Sequence, residues 1–205
     1  VYFSLSEYAK ALEYHTRALS LHEELGDRSG VAIVTGNIGL VYWGLSDYEK
    51  ALEYLTHALS LHEELGERSG VVRVTGNIGT LYAEKSFSDY NPAKAEELLL
   101  QTIALNHELG RKHPLYHNHQ ALSKLYKQES RFEEALTHHK KFHEIFQEVQ
   151  SEEAHKKARQ VEQQRQIAEM EKRTAAERAD AEATKRVLHN ILPPTIANRV
   201  VRGEE

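Results

Sequence analysis

The stretch LSDYEKALEYLTHALSLHEELGERSGVVRVTGNIGTLY, Leu45–Tyr82, decides the fold. Tyr48, Ala51, Leu52, Leu55, Ala58, Leu59 and then Leu61 or His62 recur at helical spacing and make one apolar stripe. Val71, Val74, Ile78, Leu81 and Tyr82 make a second. Between them lies LGERSG, where Gly66 suits the left-handed position that closes a helix. Asp47 stands where a helix cap belongs. Neither helix can bury its stripe alone, so the pair must stack on neighbours of the same kind.

Such neighbours are present on both sides. Leu5–Tyr42 repeats the same pattern forty positions earlier, with LGDRSG as its turn, Gly26 closing the helix and an Asp and a Ser after it as caps. A diverged third copy runs from FSDYNPAKAEELLLQTIALNHELG, beginning at Phe87, through HPLYHNHQALSKLY, ending at Tyr126. Asn91 and Pro92 there are read as lengthening the turn by two residues. A fourth copy opens with RFEEALTHHKKFHEIF, from Arg131, and does not turn back.

Composition narrows the class. The 205 residues allow one large or two small domains, and a 40% apolar content supports a core. A mean hydropathy of -0.61 makes that core thin. The net charge of -5 carries no nucleic-acid footprint. With no cysteine there is no disulfide framework and no thiolate metal site. No apolar run approaches the roughly 18 residues that span a bilayer. No signal peptide and a reducing, cytoplasmic location are expected. The chain opens at Val1 within a repeat and stops abruptly, which reads as a piece of a longer protein.

The segments NIGLVY…DYEKAL…A and their copies resemble the tetratricopeptide repeat family, in a forty-residue variety, over residues 1–148. The resemblance implies an all-α solenoid of helix hairpins, followed here by a long C-terminal helix. In that family Gly39 and Gly79 would mark close helix crossings, with Ala11, Ala18, Ala51 and Ala58 opposite and Tyr42 and Tyr82 filling gaps between units. Ser123 replaces the glycine in the third unit and leaves its curvature open.

The family also lines a concave groove with the first helix of each pair, where a protein or peptide ligand lies. The groove positions implied are Ile33, Asn37, Leu40 and Trp43 in one unit, with Gly36 among them. Arg73, Asn77, Thr80 and Glu84, with Gly76, come next in the second, and His117, Gln120, Lys124 and Lys127 in the last. This surface runs from apolar to basic. Asn37 and Asn77 resemble a peptide-backbone clamp, since one rigid amide donates and accepts. They read equally as exposed helix residues copied by duplication. Trp43 is either a groove anchor or a packing residue.

Thirteen histidines raise a metal question. His113/His117 and His139/His143 are spaced to put two imidazoles on one helix face, but no third ligand repeats with them. No metal site is expected, and none of catalysis. There is no paired-carboxylate pocket and no nucleophile with a base. The two GNIG stretches come after no strand, so they are not phosphate loops. The histidines of 113–119 could sense pH.

From Ser151 to Arg186 there is neither Gly nor Pro, only good helix formers. Ala154, Ala158, Val161, Ala168, Ala175 and Ala179 mark a seam that Arg165 and Lys172 interrupt. Two readings stand: a weak parallel coiled coil joining two copies, or a single helix held by charge pairs. Val187, Leu188, Ile191 and Leu192 then form an apolar patch, ended by Pro193 and Pro194.

The tail VLHNILPPTIANRVVRGEE is similar to the segment leading into class III nucleotidyl cyclases, through Asn190, Ile191, Leu192, Pro193, Ile196, Ala197, Arg199, Gly203 and Glu204. It implies domains at 1–148 (repeat array), 149–192 (signalling helix) and 193–205 (linker). The implied function is control of cAMP or cGMP synthesis. Such a parent needs a divalent metal and ATP or GTP, while this stretch needs no cofactor. Two rivals stand beside it. One is a scaffold whose helix is only a spacer. The other is the sensor of a histidine kinase, although HNILPP around His189 lacks the acid of a phosphoacceptor box.

Overall fold

The computed structural model describes residues 5–193 and 196, without the side chains of residues 5, 6, 188 and 189. Among the described residues seven α-helices succeed one another: α1 (Leu5–Glu24), α2 (Arg28–Gly44), α3 (Tyr48–Glu64), α4 (Arg68–Tyr82), α5 (Pro92–Glu108), α6 (Lys112–Gln128) and α7 (Phe132–Ile191). The chain divides between residues 149 and 150, inside α7. The fold is all-α, built of helix hairpins in succession and ending in a long helix, as the repeats imply.

The turns behave as their residues dictate. Gly26, Gly66 and Gly110 all take positive φ, from 63° to 68°. Asp27 accepts from the Gly30 amide at 2.9 Å, and Asp47 from that of Lys50 at 3.3 Å. Glu67, in the place of Asp27, makes no such cap. Ser46 and Ser130 occupy the other left-handed positions, each at φ 61°, where glycine would be easier. One expectation changes. Asn91 and Pro92 do not lengthen a turn: Asn91 caps α5 by accepting from the Lys94 amide at 3.0 Å, and Pro92 is the first residue of the helix. The extra chain lies before them and buries Phe87, 3% exposed, between Tyr48 and Tyr82.

In the first unit the hairpins close through small residues. A Cβ on Gly39 would stand 3.0 Å from Leu55 Cγ and 3.2 Å from the Ala51 carbonyl oxygen, so α2 and α3 touch there. Gly79 meets Leu98 and Leu99 of α5 in the same way. At the third crossing Ser123 donates its hydroxyl to the Ala135 carbonyl at 2.9 Å, joining α6 to α7 by a hydrogen bond. Ala51, Leu55, Ala58, Val74, Ile78 and Leu81 form one buried cluster with Phe87. Leu99, Leu122, Leu125, Tyr126 and Ala135 form a second with Ala83 and Ala95. At the position left between Leu61 and His62, the histidine is the buried one. Val72 is buried where Val71 was expected to carry the stripe, and Val71 is half-buried.

In the second unit the side chains described along α7 are exposed, apart from half-buried Glu153 and, after the helix, Leu192. Exposed apolar residues include Val161, Ile167, Met170, Val187 and Ile191. Ion pairs run along the helix, Arg173 to Glu177 at 3.1 Å and Arg165 to Glu162 at 3.7 Å. The helix ends at Ile191, two residues before Pro193. Of the tail residues, Pro194, Ala197, Arg199, Gly203 and Glu204 lie outside the described residues. Asn190 and Ile196 are exposed.

Candidate functional site

The first helices of successive hairpins, α2, α4 and α6, lie side by side. Along them Val34, Ile38 and Val41 of α2 and Val72, Val74 and Ile78 of α4 are buried, while Ile33 of α2 is exposed. There a cavity of about 690 Å³ opens, walled by α4 and α6, with Trp43 of α2 at one edge and Asn106 of α5 beneath. Such a volume lies in the ordinary range of ligand sites. Its α4 wall holds Arg73, Asn77 and Thr80, and its α6 wall holds His117, Gln120 and Lys124.

The cations of this wall differ in their pairing. Lys124 donates to Glu84 at 2.8 Å. Arg73 has no carboxylate partner among the described residues. One of its guanidinium nitrogens stands 3.4 Å from Nε2 of His62. Burial lowers the Arg73 pKa below the ordinary guanidinium value, and the neighbouring Arg111 charge adds to it. The His117 pKa is lowered in the same sense, by burial first and then by His113. Neutral groups converge too. Asn118 donates from Nδ2 to Thr102 Oγ1 at 2.8 Å, and a Cβ on Gly76 would stand 3.2 Å from Asn118 Oδ1.

The tetratricopeptide repeat family model matches residues 1–64 and, overlapping, 30–86. The N-terminal part of this chain is a tetratricopeptide repeat region. No curated protein matches the chain. Among solved structures it is similar to BtubC (BKLC) from P. vanneervenii, at 23% identity and a TM-score of 0.57, over 71% of this chain. It spans 59% of the length of that protein, and the likeness is one of fold.

The groove residues read from sequence divide into two sets. Trp43, Arg73, Asn77, Thr80, His117, Gln120 and Lys124 line the one cavity. Ile33, 44% exposed, and the half-buried Asn37 and Leu40 lie outside it on α2. Glu84 reaches the cavity only as the partner of Lys124, and Lys127 is exposed beyond it. Trp43 packs against the core cluster and also lines the cavity. Within the cavity Lys124 is compensated by Glu84, whereas Arg73 has no carboxylate partner among the described residues.

Sequence reasoning missed Asn106, Asn118 and Pro114. A signal for the first was available. Asn106 stands where the earlier copies have His22 and His62. His62 is 1% exposed, and its Nδ1 lies 2.6 Å from Glu67 Oε2. His22 pairs with Asp27 at 2.8 Å. Gly70 and Gly30 leave room for the two rings, since a Cβ there would stand 2.3 and 2.2 Å from Nδ1. The third copy changes all three positions, to Asn106, Arg111 and Pro114.

Among the described residues no cluster of three or more His, Asp or Glu could hold an ion. His139 and His143 stand with their Nε2 atoms 3.2 Å apart on the exposed side of α7. Among the described residues no helix is long and apolar enough to cross a membrane.

Proposed function

We propose that this chain is a cytoplasmic regulatory region in which the tetratricopeptide array, a protein-interaction module, takes a peptide segment of a partner along α2, α4 and α6. The observation that carries this reading is the α4–α6 cavity, where apolar walls surround a few convergent polar groups and one unpaired cation. That combination suits a peptide held by its main chain and one or two side chains.

The finer reading is that α7 passes the bound state to a nucleotidyl cyclase. It rests on the order of residue types from Asn190 to Glu204, and on a helix of 60 residues free of glycine and proline. Two copies would associate in parallel through residues 150–192, weakly because Arg165 and Lys172 interrupt the seam. The direct test is to express the parent gene and assay conversion of ATP and GTP to cyclic nucleotides, with and without the array. Cyclic product whose rate changes when the array is deleted supports control of a cyclase. Phosphotransfer from ATP to histidine would assign the array to a kinase. Absence of either activity would leave the scaffold.

A further inference from the structure

Asn106 is the most conspicuous polar group in the molecule. It is 1% exposed, yet neither its Nδ2 nor its Oδ1 has a hydrogen-bond partner. An unsatisfied buried amide is costly, and few are found in native proteins. It lines the α4–α6 cavity. In the two preceding copies the equivalent histidine is satisfied by the acid five residues later. Here that acid has become Arg111, whose guanidinium turns away to the Ser69 carbonyl at 3.1 Å. The third copy has therefore lost the local partner and gained positive charge at the same place.

Arg73 faces the same cavity with no carboxylate of its own. Its NH1 would be 3.9 Å from a Cβ on Gly36, so the guanidinium lies where α2 and α4 adjoin. A half-buried guanidinium without an anion has lost hydration that one long contact, 3.4 Å to His62 Nε2, replaces only in part. Its planar fork matches a carboxylate. Asn106 offers a donor and an acceptor side by side, which is the complement of one peptide unit. A free dicarboxylic acid offers no donor for Oδ1.

We propose that the α4–α6 cavity is a subsite for one acidic residue of a partner peptide, its carboxylate on Arg73 and its main-chain amide on Asn106. The inference rests on the peptide-binding reading above and adds the chemistry of one position. Lys124 is not the anchor, because Glu84 already neutralises it.

The test uses the whole 205-residue chain. Short random peptides displayed on phage are selected on the immobilised protein, on Arg73→Gln and on Arg73→Lys, with folding of each checked by circular dichroism. The expected pool is enriched in Asp or Glu at one position, is reduced on Arg73→Lys, and loses the enrichment on Arg73→Gln. Trp43 is the only tryptophan and walls the cavity, so its fluorescence should shift when a selected peptide is added. Asn106→Leu should weaken that peptide about tenfold while raising Tm, a combination that a purely structural asparagine would not show. Enrichment without acidic residues, or acidic enrichment that survives Arg73→Gln, overturns the subsite and leaves the peptide groove standing. Glutarate binding as tightly as the peptide overturns the peptide source. Failure to select any peptide overturns the groove reading and this one with it.

Discussion

Nδ1 of His119 on α6 lies 2.9 Å from Nδ1 of His138 on α7. Two such nitrogens can share a hydrogen bond only if at least one ring is neutral. Burial, then the charges of His138 and Lys141, lower the His119 pKa to about 4. Burial lowers that of His138 too, against the opposing pull of Glu96. The Tyr126 ring packs on His138, and Arg131 lies over the same tyrosine.

A folded-state pKa below the unfolded value means the unfolded chain binds the proton first. The stability from this pair is therefore present above pH ~6.5 and is lost as pH falls towards about 4. Thermal unfolding of the protein should show Tm falling through that window, by an amount on the order of 2 kcal/mol in stability. His119→Leu should flatten this part of the curve. A Tm profile identical to that of the parent chain would remove His119 as its source.

Two glycines of α2, three residues apart, should respond in opposite ways. Gly39→Ala puts a methyl group against the Ala51 carbonyl and the Leu55 amide, both backbone atoms at 3.2 Å, and should cost ~1–3 kcal/mol. Gly36→Ala meets nothing nearer than 3.5 Å and should be neutral or add up to ~1 kcal/mol through helix propensity. Urea unfolding of both variants measures the difference. Equal effects would show that α2 and α3 do not cross at Gly39. Gly79→Val should be destabilising for the same reason as Gly39→Ala, against Leu98 and Leu99.

Asn106→Leu should stabilise the chain by ~1–2 kcal/mol, because an apolar group replaces an amide with no partner. His62→Leu, at the equivalent position, should destabilise it by a similar amount, since Glu67 would lose the imidazole 2.6 Å away. Differential scanning calorimetry reads both. Loss of stability in Asn106→Leu would mean that the amide is satisfied in solution.

The parallel association of residues 150–192 makes a simple prediction. Sedimentation should show residues 1–205 dimerising at high concentration and residues 1–149 remaining monomeric. Two monomers would exclude the coiled coil.

If α7 transmits a signal, its register matters. Four residues inserted near Ala168 rotate the C-terminal half of the helix by ~40° about its axis, whereas seven come back to within ~20° of the original face. In the parent protein, the seven-residue insertion should keep regulated output and the four-residue insertion should lock it high or low. Regulation unchanged by either would mark α7 as a tether.

The sequence alone determined the hairpins, their turns and the long helix. These arise from local rules: apolar stripes at 3.6-residue spacing, glycine at three left-handed closures (Gly26, Gly66 and Gly110), and Asp27 and Asp47 as caps. Duplication made the pattern visible, because Leu5–Tyr42 and Leu45–Tyr82 repeat the same answer. The groove helices were implied by the family resemblance, with periodicity choosing their face, and seven of the residues so named line one cavity. Only the tertiary structure decided the electrostatics within that face. Whether a cation is neutralised depends on a partner far along the chain, as Lys124 shows with Glu84, forty positions away. Whether an amide is satisfied depends on which side chains close over it, and spacing does not reveal that. Asn106 in sequence is an ordinary helix residue. Buried beneath α4 and α6, without the acid that serves His22 and His62, it becomes part of the lining of a cavity.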